Sequence, residues 1–89
     1  MTDVTALMPV TVRFFAAARD AAGTETAILR LPAGATVADA HRELCGQSDK
    51  IALVLQKCSY LADGVAVREP TTVLRAHQIL DVLPPFAGG

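Results

Sequence analysis

The last six residues, Pro84-Pro85-Phe86-Ala87-Gly88-Gly89, hold the residue types best suited to chemistry. Pro84 and Pro85 fix φ and lack backbone donors, so they carry the chain out of a preceding strand stiff and extended and cannot continue its ladder. Gly88 and Gly89 have no Cβ, so their backbone can enter a slot too narrow for any other residue. The group left to react there is the Gly89 carboxylate. Fully extended, Pro84 to Gly89 span at most about 20 Å, a reach that suits insertion into another protein's active site. The competing reading is a frayed end; the rigid Pro-Pro and the aromatic Phe86 ahead of the glycines count against it.

Other reactive side chains are sparse. His41 and Cys45 are one helical turn apart, but the buried face of their helix already accounts for the cysteine, so the pair reads as structure and not as a metal site. His77 has no Asp or Ser partner at a recognisable motif spacing and reads as a solvated turn histidine. Cys58 has only Lys57 nearby to activate it, where a reactive thiolate needs an electropositive, exposed setting. It reads as small core or edge filler. No Gly-rich phosphate loop, nucleophile elbow or carboxylate cluster is present, so an independent enzyme is not expected.

Composition narrows the field further. Eighty-nine residues support one small domain; a chain of this size buries only about 60 to 70% of its unfolded surface, which leaves little room for a deep pocket. With no Trp, one Tyr and three Phe, stacking platforms for single-stranded nucleic acid are poorly supplied. Eight Lys and Arg against nine Asp and Glu give a net charge of −1, which is not the balance of a polyanion binder. Two cysteines without a CxxC argue against a zinc site or a disulfide scaffold and fit the reducing cytosol. No apolar run approaches the roughly 20 residues of a membrane span, and Met1 to Met8 lack a basic signal-type region. A cytoplasmic, unexported protein is expected, with no contact to nucleic acid or membrane.

The elements that must position the tail follow from periodicity. Residues 1–8 read as a flexible leader, 9–83 as the folded domain and 84–89 as the reactive tail. Val10 to Phe15 alternates as a strand, with Val10, Val12 and Phe14 on one face and Thr11, Arg13 and Phe15 on the other. Ala16 to Ala22 stops at Gly23, as a short helical turn does. Thr24 to Leu31 is a second strand, ended by Pro32. Thr36 can cap a helix with Asp39 three residues on, and Val37, Ala40, Leu44 and Cys45 share its inner face. Ile51 to Leu55 is too short for periodicity to decide, although Asp49 could start a helical turn. Ser59–Ala62, Asp63-Gly64 and Val65–Arg68 read as a hairpin with a type I′ turn. Glu69 to His77 is loop, and Ile79 to Leu83 is the last strand, with Leu80 and Val82 inward and Asp81 outward. This order predicts an α+β domain in which one main helix covers a mixed four- to five-stranded sheet. It resembles the order of β-grasp (ubiquitin-like) domains, and the resemblance implies first and last strands parallel at the sheet's centre. Arg13, Arg19 and Arg68 read chiefly as solubility residues. Phe15 and Phe86, with the outward residues of the sheet, are the expected partner surface, while core packing competes for Phe14.

The tail, Phe15-Ala16 followed by Arg19-Asp20 and Gly23, and Leu31-Pro32 with Gly34 and the Thr36-Val37 helix start together resemble the MoaD family, the sulfur-carrier small subunit of molybdopterin synthase in the ThiS/MoaD ubiquitin-like superfamily. The resemblance spans Val10 to Gly89. One stretch departs from it: Ala76-His77-Gln78 stands where the family enters its last strand through Asp-Gly-Asp. The resemblance implies that an ATP-using activating enzyme (MoeB-like) adenylates the Gly89 carboxylate, that sulfur replaces the adenylate to give a thiocarboxylate, and that a large synthase subunit (MoaE-like) delivers the sulfur to a pterin precursor. It makes Gly89 and Gly88 the reacting residues and gives Phe86, Pro84, Pro85, Ala87 and Phe15 to partner binding, in a hetero-oligomer. ATP belongs to the activating partner; this chain is expected to bind no cofactor and no metal. Three alternatives share the pattern: a carrier for thiamin or another pathway, a protein modifier joined to lysines, and a non-reactive β-grasp adaptor.

Overall fold

A computed structural model describes residues 7–85. Strand β1 (Leu7–Phe14) pairs antiparallel with β2 (Thr26–Pro32) on one side and parallel with β5 (Ile79–Leu83) on the other; β5 in turn pairs antiparallel with β3 (Ser59–Ala62), and β3 with β4 (Val65–Ala66). The sheet order is β2-β1-β5-β3-β4. The first and last strands are therefore central neighbours, as their alternation predicts, with Val12 opposite Leu80 and Phe14 opposite Val82. Three helices accompany the sheet: α1 (Ala16–Ala22), α2 (Val37–Cys45) and α3 (Asp49–Leu55).

One core joins the inward residues of the strands to the helices. Val10, Val12, Leu80 and Val82 are fully enclosed against Ala40 and Leu44 of α2, with Ile51 and Leu55 of α3 and Ala18 of α1 completing the cluster. Phe14 belongs to this core and not to a partner surface.

Helix α2 is capped completely. The Thr36 hydroxyl accepts the Asp39 N–H, and the Asp39 carboxylate accepts the Thr36 N–H at 2.9 Å, a reciprocal box that satisfies two otherwise orphaned donors. The remaining first-turn donors, Val37 and Ala38, reach the carbonyls of Thr72 and Pro70. The segment after β4 thus serves as a lid on the helix N-terminus, which explains why β4 ends at Ala66 and not at Arg68 as expected. The Thr36 N–H, the Arg42 guanidinium and the Thr36 hydroxyl hold the Asp39 carboxyl below its usual range. Its stabilisation is present above the unfolded carboxyl pKa and is lost as pH falls through the lower folded value. Thr36→Ala should cost about 1 kcal/mol, read as a lower urea midpoint at unchanged slope.

Several expectations need correction. Leu7 and Met8, assigned to the leader, are strand residues opposite Pro32 and Leu31, and Met8 is buried. Pro9 is tolerated inside β1 because pairing with β5 begins only at Thr11, so no ladder donor is missed on that side. The main helix expected after Thr36 is α2, and the short helical turn expected at Ala16 to Ala22 is α1. Ile51 to Leu55 belongs to α3, started by Ser48, whose Oγ accepts the Ile51 N–H at 3.1 Å. His77 adopts a left-handed φ of 67°, a conformation glycine takes freely and other residues at a cost. Its N–H donates to the Pro9 carbonyl at 2.7 Å, and the Gln78 side chain accepts the Arg75 N–H at 2.9 Å. Ala76-His77-Gln78 therefore makes a tight turn into β5 without a glycine.

Candidate functional site

The central position of β5 decides where the tail begins. Leu83 ends the strand opposite Ser59 of β3, and Pro84, half-buried, and Pro85, exposed, lead away from it. Phe86, Ala87, Gly88 and Gly89 lie outside the described residues, so the four outermost residues of the expected site are placed by sequence alone. On the other flank the Phe15 N–H donates to the Val82 carbonyl at 3.2 Å, which sets the half-exposed Phe15 beside the root of the tail. Of the expected site residues, the structure brings Phe15, Pro84 and Pro85 to one end of the sheet.

Among the described residues, the sheet face opposite the helices carries exposed apolar side chains. Thr11 stands between Ile28 of β2 and Ile79 of β5. Ile28 is 61% exposed, and Leu7, Phe15 and Ile79 are also exposed. Apolar side chains exposed together mark a contact region, and of these Phe15 is the one beside the tail's root.

At the centre of that face lies an ion pair that alternation alone does not reveal. Arg13 donates from Nε and Nη2 to the two oxygens of Asp81 at 2.6 and 2.8 Å. Asp81 does lie on the outward face, yet it is only 5% exposed, because the guanidinium and its stem cover it. The carboxylate raises the Arg13 pKa through this bidentate contact. Arg13 also lies over the Phe15 ring, 5.9 Å from its centroid, so the pair braces the aromatic side chain next to the tail. Arg13 is thus committed to Asp81 and is no free steering charge; Arg19 faces Glu25 at 3.8 Å.

The structure also gives the other reactive residues their places. His41 and Cys45 meet on α2, joined by Tyr60, which sequence reasoning did not single out because it is 19 positions away. His77 is the turn residue described above. Among the described residues no group of three His, Cys, Asp or Glu is arranged to hold a metal, and no helix is long and apolar enough to cross a membrane.

A family model described as the ThiS family matches residues 12–89. Among solved structures, the chain is similar to the HVO 2177 protein of Haloferax volcanii, with 28% identity, a TM-score of 0.83 and coverage of 100% of this chain and 93% of that one. It is similar to the small archaeal modifier protein 1 from Methanosarcina acetivorans, with 25% identity, a TM-score of 0.78 and coverage of 93% and 98%. It also shares the fold of subunit 1 or 2 in the protein complex of molybdopterin-converting factor from Helicobacter pylori, at 22% identity and a TM-score of 0.70, over 92% of this chain and 100% of that one. No curated protein sequence matches the chain.

Proposed function

Because the chain belongs to the ThiS family, we propose that it is a sulfur carrier whose Gly89 carboxylate is activated and converted to a thiocarboxylate for molybdopterin synthesis. The observation that supports this reading is the placement of β5: a central strand, held between β1 and β3, runs directly into Pro84-Pro85, after which the sequence continues as Phe86-Ala87-Gly88-Gly89.

The chemistry follows from the carboxylate itself. Its anion resists nucleophilic attack, so one oxygen must first become a good leaving group. An activating enzyme does this by adenylation, with ATP bound in its own pocket. A sulfur nucleophile then attacks the acyl carbon and AMP leaves. The thiocarboxylate that results is a soft nucleophile on a thin tether. Gly88 and Gly89 let it pass into the site of a large partner subunit, where the sulfur moves to a pterin precursor. This chain is a co-substrate in that scheme. Phe15, Pro84, Pro85, Phe86 and Ala87, with the apolar sheet face around Ile28 and Ile79, supply the contact with each partner in turn, which requires the two partners to bind one after the other.

A second reading has a specific observation behind it, the likeness to a small archaeal modifier protein. The same adenylate, attacked by a lysine amine, would join Gly89 to another protein by an amide bond. Intact-mass analysis of the chain isolated from its native cells separates the two. The carrier reading expects a fraction of the protein with sulfur in place of one oxygen, mapped to the peptide that ends in Gly89. Lysine-linked adducts with no thiocarboxylate would overturn it in favour of the modifier.

A further inference from the structure

The helix side of the molecule holds a second group of reactive side chains, separate from the tail. His41 and Cys45 lie one turn apart on α2, with Nε2 of the histidine 3.4 Å from Sγ of the cysteine. The other ring nitrogen, Nδ1, is 2.6 Å from the hydroxyl of Tyr60 on β3. The Tyr60 ring meets the imidazole edge-on at 87°, so the histidine is fixed at both nitrogens. Cys58 stands nearby with its thiol donating to the Val54 carbonyl at 3.3 Å. Burial pushes both the Tyr60 phenol and the Cys58 thiol up, which keeps both protonated at neutral pH. These residues line an open groove of about 730 Å³ with Arg42 and Arg68 and no carboxylate on its wall.

A metal would need a third ligand, and among the described residues none is arranged to supply it. A thiol, a base in line with it and a hydroxyl that orients the base are instead the parts of an activated nucleophile. We propose that Cys45 is a reactive thiol, with His41 as its base and Tyr60 as a positioning residue, that exchanges with carboxylate-bearing low-molecular-weight disulfides.

The step balances without any further oxidant. The Cys45 proton passes to Nε2 of His41, and the Nδ1–H of the imidazolium donates to the Tyr60 oxygen. Sγ attacks one sulfur of the disulfide; the new S–S bond forms as the old one breaks. Cys45 is oxidised to a mixed disulfide, and the departing sulfur, reduced by that electron pair, takes the proton back from Nε2. Arg68 and Arg42 supply the attraction for the ligand's carboxylates, although Arg42 also holds Asp39 at 3.0 Å. The charged and titratable groups around His41 are thus Cys45, Arg42 and Asp39 on its own helix, Tyr60 on β3, Cys58 just ahead of that strand, and Arg68 beyond β4.

The test uses the full folded chain and oxidised glutathione, with adducts located by peptide mass mapping. Cys45 should form its adduct at least about tenfold faster than Cys58, and faster than Cys45 does in the urea-unfolded chain, the scale of modest base catalysis. His41→Asn should bring the rate down to that of the unfolded chain, and Tyr60→Phe should shift the pH profile of the rate while circular dichroism stays native. The cationic disulfide cystamine should gain less from folding than oxidised glutathione does. Equal Cys45 rates in the folded and unfolded chain would overturn the proposal, a comparison that needs no variant and holds even if His41→Asn fails to fold. An unchanged rate in a folded His41→Asn variant, or a larger gain for cystamine, would overturn it equally.

Discussion

Gly88→Val is expected to lower sulfur loading at Gly89 by at least about 100-fold, the scale on which a small misplacement of reacting groups reduces rate, while the unfolding midpoint stays where it is. A branched Cβ at position 88 cannot enter a slot shaped to bare backbone, so the carboxylate stops short of the activating nucleotide. Gly89→Val adds crowding at the reacting carbonyl itself. Neither glycine has a side chain to remove from the core, so both substitutions are expected to change stability by no more than about 0.5 kcal/mol. A residue appended after Gly89 should block loading as well, since it removes the free carboxylate. The measurement pairs a urea melt with an adenylation assay on each variant. Normal adenylation and transfer by both valine variants would return the two glycines to the frayed-end reading.

Local chemistry made much of this fold legible. The alternation of Val10, Val12 and Phe14 and of Leu80 and Val82 identifies two half-buried strands, and their parallel pairing follows from the element order. Thr36 with Asp39 marks the start of α2, and Asp63-Gly64 marks the hairpin, since both turn residues take positive φ. What stayed hidden depends on contacts between distant residues or on signals that short segments lack. Five apolar residues from Ile51 to Leu55 fit either period; Asp49 hints at a helical turn, and the Ser48 cap shows that a helix forms there. Alternation puts Asp81 on the outer face but cannot say that Arg13, 68 positions away, covers it. The His41–Tyr60 contact is invisible for the same reason. His77 reads as a turn residue from sequence, but its left-handed backbone and its hydrogen bond to the Pro9 carbonyl cannot be read there. Of the candidate site, Phe15, Pro84 and Pro85 are now placed together, while Gly88 and Gly89, proposed as the reacting residues, rest on sequence chemistry.

Leu80→Ala is expected to be the most damaging single change to stability, at about 3 kcal/mol, within the range for buried leucines truncated to alanine. Leu80 is wholly enclosed on the central strand between β1 and β3, so the neighbours that would have to collapse into the void are themselves held by ladders on both sides. A chain of this length has only about 4 to 13 kcal/mol in total, and the loss should lower the melting temperature by roughly 15 °C. Ile28→Thr on the open face, where the side chain is mostly in water, should stay within about 0.5 kcal/mol. The consequence for sulfur loading differs in kind from that of Gly88→Val. Because β5 carries the root of the tail, Leu80→Ala should reduce loading only as far as it unfolds the chain, and cooling below the new transition should restore it. Thermal melts read alongside loading at two temperatures decide the matter. Loss of loading in Leu80→Ala well below its melting transition would show that the core at β5 controls the tail by something other than holding the strand in place.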